Sequence, residues 1–275
     1  MALPFTIEVR RKDGSEYPPA TIHMLLCGLQ RIMRRESEQP FEIFAKDVSF
    51  RKFHGTMESV YQQLHKKGVG TVIKHASAIT NEEENHIWQY RIIGDHSPTD
   101  LLRAVFYLNG IKFSLHGGKE HRDLKCSQLT REDDHWKYVE NGSKCFHGGV
   151  ADLHRENKVV RQYPLPPADK ERCHIRLLDF YMSKLPKDTN NNFYCQPLKS
   201  VPLDSSKPWF SATPVGWNKL DGMAATIFKD AGISGKTNHS LRVTGATCMY
   251  NSGIPEKTIQ SRTGHKSVEA LWVYE

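Results

Sequence analysis

Three short stretches near the C-terminus decide the reading: Asn238-His239-Ser240-Leu241-Arg242, then Thr263-Gly264-His265, then Tyr274. The first opens a predicted helix over 239–251, so His239 and Arg242, three apart, share a face. His265 follows a glycine turn 23 residues after Arg242, and Tyr274 comes nine residues after His265. A phenol that can attack, two imidazoles that can move protons and a permanently charged guanidinium are the parts needed to hold and attack a phosphodiester. Singly, each has an ordinary alternative. Tyr274 reads equally as an aromatic on a terminal helix, His265 as a polar cap, and His239 with Arg242 as an exposed helical pair. The joint spacing carries the argument.

The rest of the chain agrees with an intracellular protein that meets a polyanion. Of 275 residues, 38% are hydrophobic and 25% charged, an ordinary globular balance. Lys and Arg outnumber Asp and Glu by 38 to 31, a net charge of +7 with the 14 His neutral. That charge is compatible with nucleic acid but is weak evidence alone. No run of about 18 apolar residues spans a membrane, and Met1-Ala2-Leu3-Pro4-Phe5 is too short for a signal peptide. The six cysteines (Cys27, Cys126, Cys145, Cys173, Cys195, Cys248) lie far apart, with no CxxC. They read as reduced thiols, not a zinc site or a disulfide framework.

Periodicity places the elements. Pro18-Pro19 open a helix whose Ile22, Leu25, Leu26, Leu29, Ile32 and Met33 form one apolar face, with Arg31, Arg34 and Arg35 at its basic end. Those arginines read equally as a solvated helix end or as contacts to a DNA backbone. A second helix carries Phe50, Phe53, Met57, Val60, Tyr61 and Leu64 and stops near Gly68; 70–84 reads as a connector. Ser97-Pro98-Thr99-Asp100 caps a further helix. Helices follow over 119–129 and 167–185, with strands at Trp136–Val139 and 159–163, a tight turn at Asn141-Gly142, and a short strand at 192–195. The last third is helical: 220–231 closed by Gly232, then 239–251, 255–262 and 267–274.

HxxR, GH 23 residues later and Tyr nine further on resemble the C-terminal signature of the tyrosine recombinases. Tyr17-Pro18-Pro19-Ala20-Thr21, Glu120-His121-Arg122-Asp123-Leu124, Gly142-Ser143-Lys144 and Thr237-Asn238-His239-Ser240-Leu241-Arg242 are similar to one branch of that family. That branch is the Crypton-type transposons and the recombinase-like domains of animal MYM-type zinc-finger and glutamine-rich nuclear proteins. The resemblance implies a mainly α fold with a small antiparallel sheet (α+β). It divides into a partial helical core-binding domain over 1–80 and a catalytic-type domain over 81–275.

It further implies a nuclear protein that acts on double-stranded DNA, self-associates on it, and needs no metal, nucleotide cofactor or membrane. Tyr274 would form a 3′-phosphotyrosyl bond, Arg242 would clamp non-bridging oxygens, Lys144 would protonate the leaving 5′-oxygen, and His239 and His265 would donate to the phosphate or move protons. The family's first arginine stands before a helix that carries a Glu. Here Ser114-Leu115-His116-Gly117-Gly118 puts His116 at that place. Arg122, six residues on and inside the helix, is the other occupant, with His116 the favoured alignment. The family's first helices before Met1 and its tail beyond Glu275 are not in the sequence, which fits a fragment or a decayed copy. The expected function is DNA breaking and rejoining. The alternative is a silent domesticated module that binds DNA or protein.

Overall fold

A computed structural model describes residues 2–36, 42–72, 75–141, 157–201, 206–265 and 267–274. The chain divides into two compact units, Met1–His75 and Ala76–Glu275.

Unit 1 is built from α1 (Ala2–Glu8), α2 (Pro19–Glu36) and α3 (Arg51–Lys66) around Ile22, Leu26, Ile43, Phe53 and Leu64. The apolar face expected of α2 is narrower than its spacing suggested. Ile22, Leu26 and Gln30 are buried, whereas Leu25 and Ile32 are 39% and 49% exposed. A three-helix unit covers one stripe of each helix and leaves the flanks in water. Gln30 joins the stripe because its Oε1 accepts the Ile43 backbone N–H at 2.9 Å. Gly68, at φ 73°, turns the chain after α3, where the Val69 N–H reaches the Leu64 carbonyl at 2.9 Å.

Unit 2 is organised around α5 (Pro98–Lys112), which is buried on all sides from Leu101 to Ile111 apart from the half-buried Arg103. Ser97 caps α5 by accepting the Asp100 N–H at 3.2 Å, and Pro98 occupies the first turn, as its sequence required. Helix α4 (Asn81–Gln89) begins inside the expected connector over 70–84 and runs beyond it. It starts at a reciprocal cap in which the Thr80 hydroxyl accepts from Glu83 N–H and the Thr80 N–H donates to the Glu83 carboxylate.

The expected helix over 119–129 is α6 (Gly117–Asp123) followed by a 3-10 turn and strand β1 (Leu129–Arg131). Strand β1 pairs antiparallel with β2 (Trp136–Val139), which pairs with β3 (Val159–Gln162), Tyr138 standing opposite both Leu129 and Val160. Trp136 and Tyr138 alternate inward, and Tyr138 stacks on Phe113 at the end of α5. The expected helix over 167–185 is a 3-10 segment, Pro167–Arg172, and then α7 (His174–Lys184). The short strand falls at β4 (Cys195–Pro197), paired antiparallel with β5 (Phe210–Pro214), which the sequence reading missed. Gly222 divides the next helix into α8 (Trp217–Asp221) and α9 (Met223–Asp230). Then come α10 (Asn238–Asn251), α11 (Glu256–Thr263) and a 3-10 segment, Glu269–Tyr274, where a helix was expected. The fold is mainly α with small antiparallel sheets.

Candidate functional site

Arg242 is among the largest fully buried side chains, 1% exposed. Two glycines let α10 approach α5 closely enough to bury it. A Cβ on Gly110 would come within 2.7 Å of Leu241, and one on Gly245 would strike the Ile111 carbonyl. The chain leaving α5 then turns through Ser114, a buried non-glycine residue in left-handed backbone (φ 52°). That conformation is uncommon and costly for a side-chain-bearing residue. The Ser114 carbonyl accepts from Arg242 Nη1 at 2.8 Å.

Two imidazoles flank the guanidinium. His116 Nδ1 lies 3.2 Å from Nη1, and His265 Nε2 lies 3.4 Å from Nη2. Gly264, in left-handed backbone at φ 73°, ends α11 and directs the chain so that the His265 ring reaches Arg242. The Thr263 hydroxyl donates to the Ile259 carbonyl at 2.6 Å, so it accepts from His265 Nδ1, also at 2.6 Å. The remaining ring nitrogen, Nε2, is then a lone pair that accepts from Arg242. Burial, followed by the charge of Arg242, pushes the His265 pKa down to about 4, so the ring is neutral at pH 7. Of the two roles expected of it, such a ring suits taking a proton and not clamping phosphate as a cation.

Two residues to which the sequence analysis gives no site role complete the surroundings. Glu120, on α6, holds His116: one carboxylate oxygen accepts its backbone N–H at 2.6 Å and the other lies 2.8 Å from ring Nδ1. Lys158, just before β3, is nearly buried, with Nζ 3.4 Å from Glu140 at the end of β2. Its Cδ would be 3.9 Å from a Cβ on Gly264. Burial lowers the Lys158 pKa, and the charges of Glu140 and Glu120 oppose that shift. A lysine at the entrance to a β-branched strand pair was the available signal for Lys158. For Glu120 it was a carboxylate one helical turn after His116.

The other expected site residues fall as follows. His239 is exposed on the first turn of α10, close enough for its charge to act on His265. Arg122 is exposed on α6 with its guanidinium 3.9 Å over the Trp217 ring and 3.2 Å from Asp123. Its contacts are with these neighbours, so the structure brings His116, not Arg122, to Arg242. The backbone of Tyr274 ends the final 3-10 segment, which packs on α10; its side chain lies outside the described residues, as do Lys144 and Gly142 of the expected Asn141-Gly142 turn. Among the described residues, no group of three His, Cys, Asp or Glu is placed to hold a metal ion, and no helix is long and apolar enough to cross a membrane.

The family described as "Domain of unknown function (DUF3504)" matches residues 78–229, more than half of the chain. The chain belongs to the DUF3504 family. The match takes in Glu120 and Lys158 and ends before Arg242 and His265. This DUF3504 chain is similar to Zinc finger MYM-type protein 2 of Mus musculus, 26% identical over 259 residues, which are 86% of this chain and 18% of that protein. It is also similar to Transcriptional regulator QRICH1 of Homo sapiens, 22% identical over 255 residues, 89% of this chain and 32% of that one. The chain thus spans between about a fifth and a third of the curated relatives it matches.

Among solved structures, the fold is similar to XerH site-specific recombinase bound to a palindromic difH substrate in a post-cleavage complex. The TM-score is 0.54 at 16% identity, covering 93% of this chain and 63% of that one. The XerH pre-cleavage complex gives a TM-score of 0.50 at 13% identity, covering 92% and 66%. The DUF3504 chain has the tyrosine recombinase fold.

Proposed function

We propose that this chain is a nuclear DNA-binding protein, descended from Crypton-type recombinases, that breaks and rejoins duplex DNA through Tyr274. The observation that carries the reading is the buried Arg242 guanidinium, braced by the Ser114 carbonyl and flanked by His116 and His265. A preorganised cation in a site of reduced water access is what a phosphodiester needs as charge builds on its oxygens. In the proposed step the Tyr274 oxygen bonds to phosphorus and its proton passes to the neutral His265. The 5′-oxygen leaves with a proton from Lys144, and His239 donates to the phosphate. The bond energy is kept for rejoining, with no metal or nucleotide required. Unit 1, with Arg31, Arg34 and Arg35, would clamp the duplex, and copies would pair on it. XerH site-specific recombinase, with the same fold, is crystallised bound to its palindromic difH substrate, and a DNA partner for this chain is proposed by that likeness.

A second reading, a silent nuclear module, is favoured by one specific observation: histidine, not arginine, is the second group at Nη1 of Arg242. A duplex nicked close to the cleavage point separates the two, because loss of the short end traps the covalent adduct. Wild-type chain should trap adduct in EDTA, and Tyr274→Phe should trap none while binding DNA unchanged. Binding without adduct would leave the module. Cleavage that survives Tyr274→Phe would assign another chemistry.

A further inference from the structure

Thr263, the last residue of α11, buries its hydroxyl completely. Such burial is costly unless the hydroxyl is bonded. Here Oγ1 lies 2.6 Å from the Ile259 carbonyl, 3.4 Å from the Gln260 carbonyl and 2.6 Å from His265 Nδ1. It has one proton to give. Thr244 on α10 shows how such a hydroxyl divides its bonds, because one neighbour there is a backbone N–H that can only donate. Thr244 Oγ1 donates to the Ser240 carbonyl at 2.7 Å and accepts the Ile79 N–H at 2.8 Å. The carbonyl four residues back takes the hydroxyl proton, a bond open to threonine within a helix. With the same division at Thr263, His265 is the donor, from Nδ1–H. The opposite tautomer would set oxygen lone pairs of Thr263 against the Ile259 carbonyl, and Nε2–H against the N–H of Arg242 Nη2, 3.4 Å away. The main chain fixes where the ring starts: the Gly264 and His265 N–H groups both donate to the Gln260 carbonyl, at 2.7 and 3.2 Å. Thr263 fixes which ring nitrogen keeps its lone pair.

We propose that Thr263 is a positioning residue for strand transfer: by accepting Nδ1–H it presents the Nε2 lone pair of His265 as the base for the Tyr274 proton. The proposal rests on the reading of Tyr274 as the nucleophile. In the step, the Tyr274 oxygen bonds to phosphorus and its proton passes to Nε2. The bond from phosphorus to the 5′-oxygen breaks, and that oxygen leaves with a proton from Lys144. Nε2 is released for this work because charged phosphate oxygens are better acceptors for Arg242 Nη2 than a neutral ring at 3.4 Å. The imidazolium so formed keeps Nδ1–H on Thr263, and the hydroxyl passes that polarisation on to the Ile259 carbonyl.

Adduct trapping on the nicked duplex, at saturating duplex and in a single turnover, reads the chemical step. T263V keeps the shape of the side chain and loses the hydroxyl. It should bind the duplex as wild type does and trap adduct about 10²-fold more slowly, the low end of what general-base catalysis contributes. T263S keeps the oxygen and should trap at close to the wild-type rate. In an H265A background T263V should add no further loss, which separates positioning from a general structural role. Ring-nitrogen NMR, with the His265 signals assigned by their loss in H265A, reads the tautomer directly. Wild type and T263S should show Nδ1–H with a lone pair at Nε2, and T263V should gain a share of Nε2–H; the wild-type spectrum serves even if T263V does not fold. Nε2–H in wild type, T263V with the wild-type tautomer or rate, T263S as slow as T263V, or an equal loss with and without His265 would each overturn the proposal. A wild-type chain that traps no adduct would sink the strand-transfer reading alone, and the tautomers would still decide whether Thr263 sets the ring.

Discussion

In the proposed reaction Arg242 would meet the phosphate with an imidazole, His116, standing where a second guanidinium would serve better. A preorganised charged donor is typically worth about 2.7–4 kcal/mol in the transition state. His116→Arg should therefore raise adduct formation on a nicked duplex by roughly 10² to 10³. Unchanged adduct in His116→Arg, together with loss of adduct in Arg122→Ala, would return the role to Arg122 despite its place on Trp217. The lysines can be separated by the leaving group. A 5′-sulfur in the scissile bond leaves without a proton, so it should rescue Lys144→Ala, which slows the oxygen substrate by about 10² to 10⁴. Lys158→Met should not be rescued, because it removes the cation that faces Glu140 and Glu120 in a buried setting. Rescue of Lys158→Met and not of Lys144→Ala would make Lys158 the acid.

Helix crossings place these residues, and glycine decides the closest one. Alanine is the better helix former by about 1 kcal/mol, so Gly→Ala inside a helix normally stabilises. Gly55 in the middle of α3 has nothing within 4 Å of an added Cβ, whereas Gly245 in α10 faces the Ile111 backbone. Gly55→Ala should raise stability by about 0.4–1 kcal/mol. Gly245→Ala should lower it by about 1–3 kcal/mol and slow adduct formation on the nicked duplex, because α10 must move away from α5 with Arg242 on it. All five tryptophans, Trp88, Trp136, Trp209, Trp217 and Trp272, lie in unit 2. Urea unfolding by fluorescence therefore reports Gly245→Ala, and far-UV dichroism includes Gly55→Ala. A stabilising Gly245→Ala would mean that the close crossing is not what holds Arg242. Local signals such as the Ser97-Pro98 cap and Gly68 were legible because capping chemistry is written within a few residues. The break at Gly222 and the 3-10 segment at Pro167–Arg172 were not, since periodicity continues through both.

At the scale of the whole unit, the sequence named two residues that the fold brings together, Arg242 and His265, but not the electrostatics around them. Spacing alone pointed to Arg242 and His265. That Arg242 is buried, and that Glu120 and Lys158 lie around it, depends on contacts between distant segments that no local pattern encodes. The same holds for a polar chain through the core of unit 2. The Asn109 amide donates to the Tyr194 oxygen at 2.9 Å, so the Tyr194 hydroxyl donates to His121 Nδ1, also at 2.9 Å. His174 Nε2 donates to Asn109 Oδ1 at 2.8 Å. Burial pushes both histidines down to about 3, so both are neutral when folded. Unfolded, each takes a proton near pH 6.5. Their contribution is therefore whole above about pH 6.5 and is lost as pH falls from there toward 3, at up to about 1.4 kcal/mol per pH unit for each ring. The fluorescence urea midpoint should fall between pH 7 and 5, a window that lies above most carboxylate titration. His121→Gln with His174→Gln keeps an acceptor for Tyr194 and a donor for Asn109 while removing both titrations, so its midpoint should decline less steeply with acid. Equal pH dependence in wild type and double variant would mean that these rings are not the acid-sensitive element of unit 2.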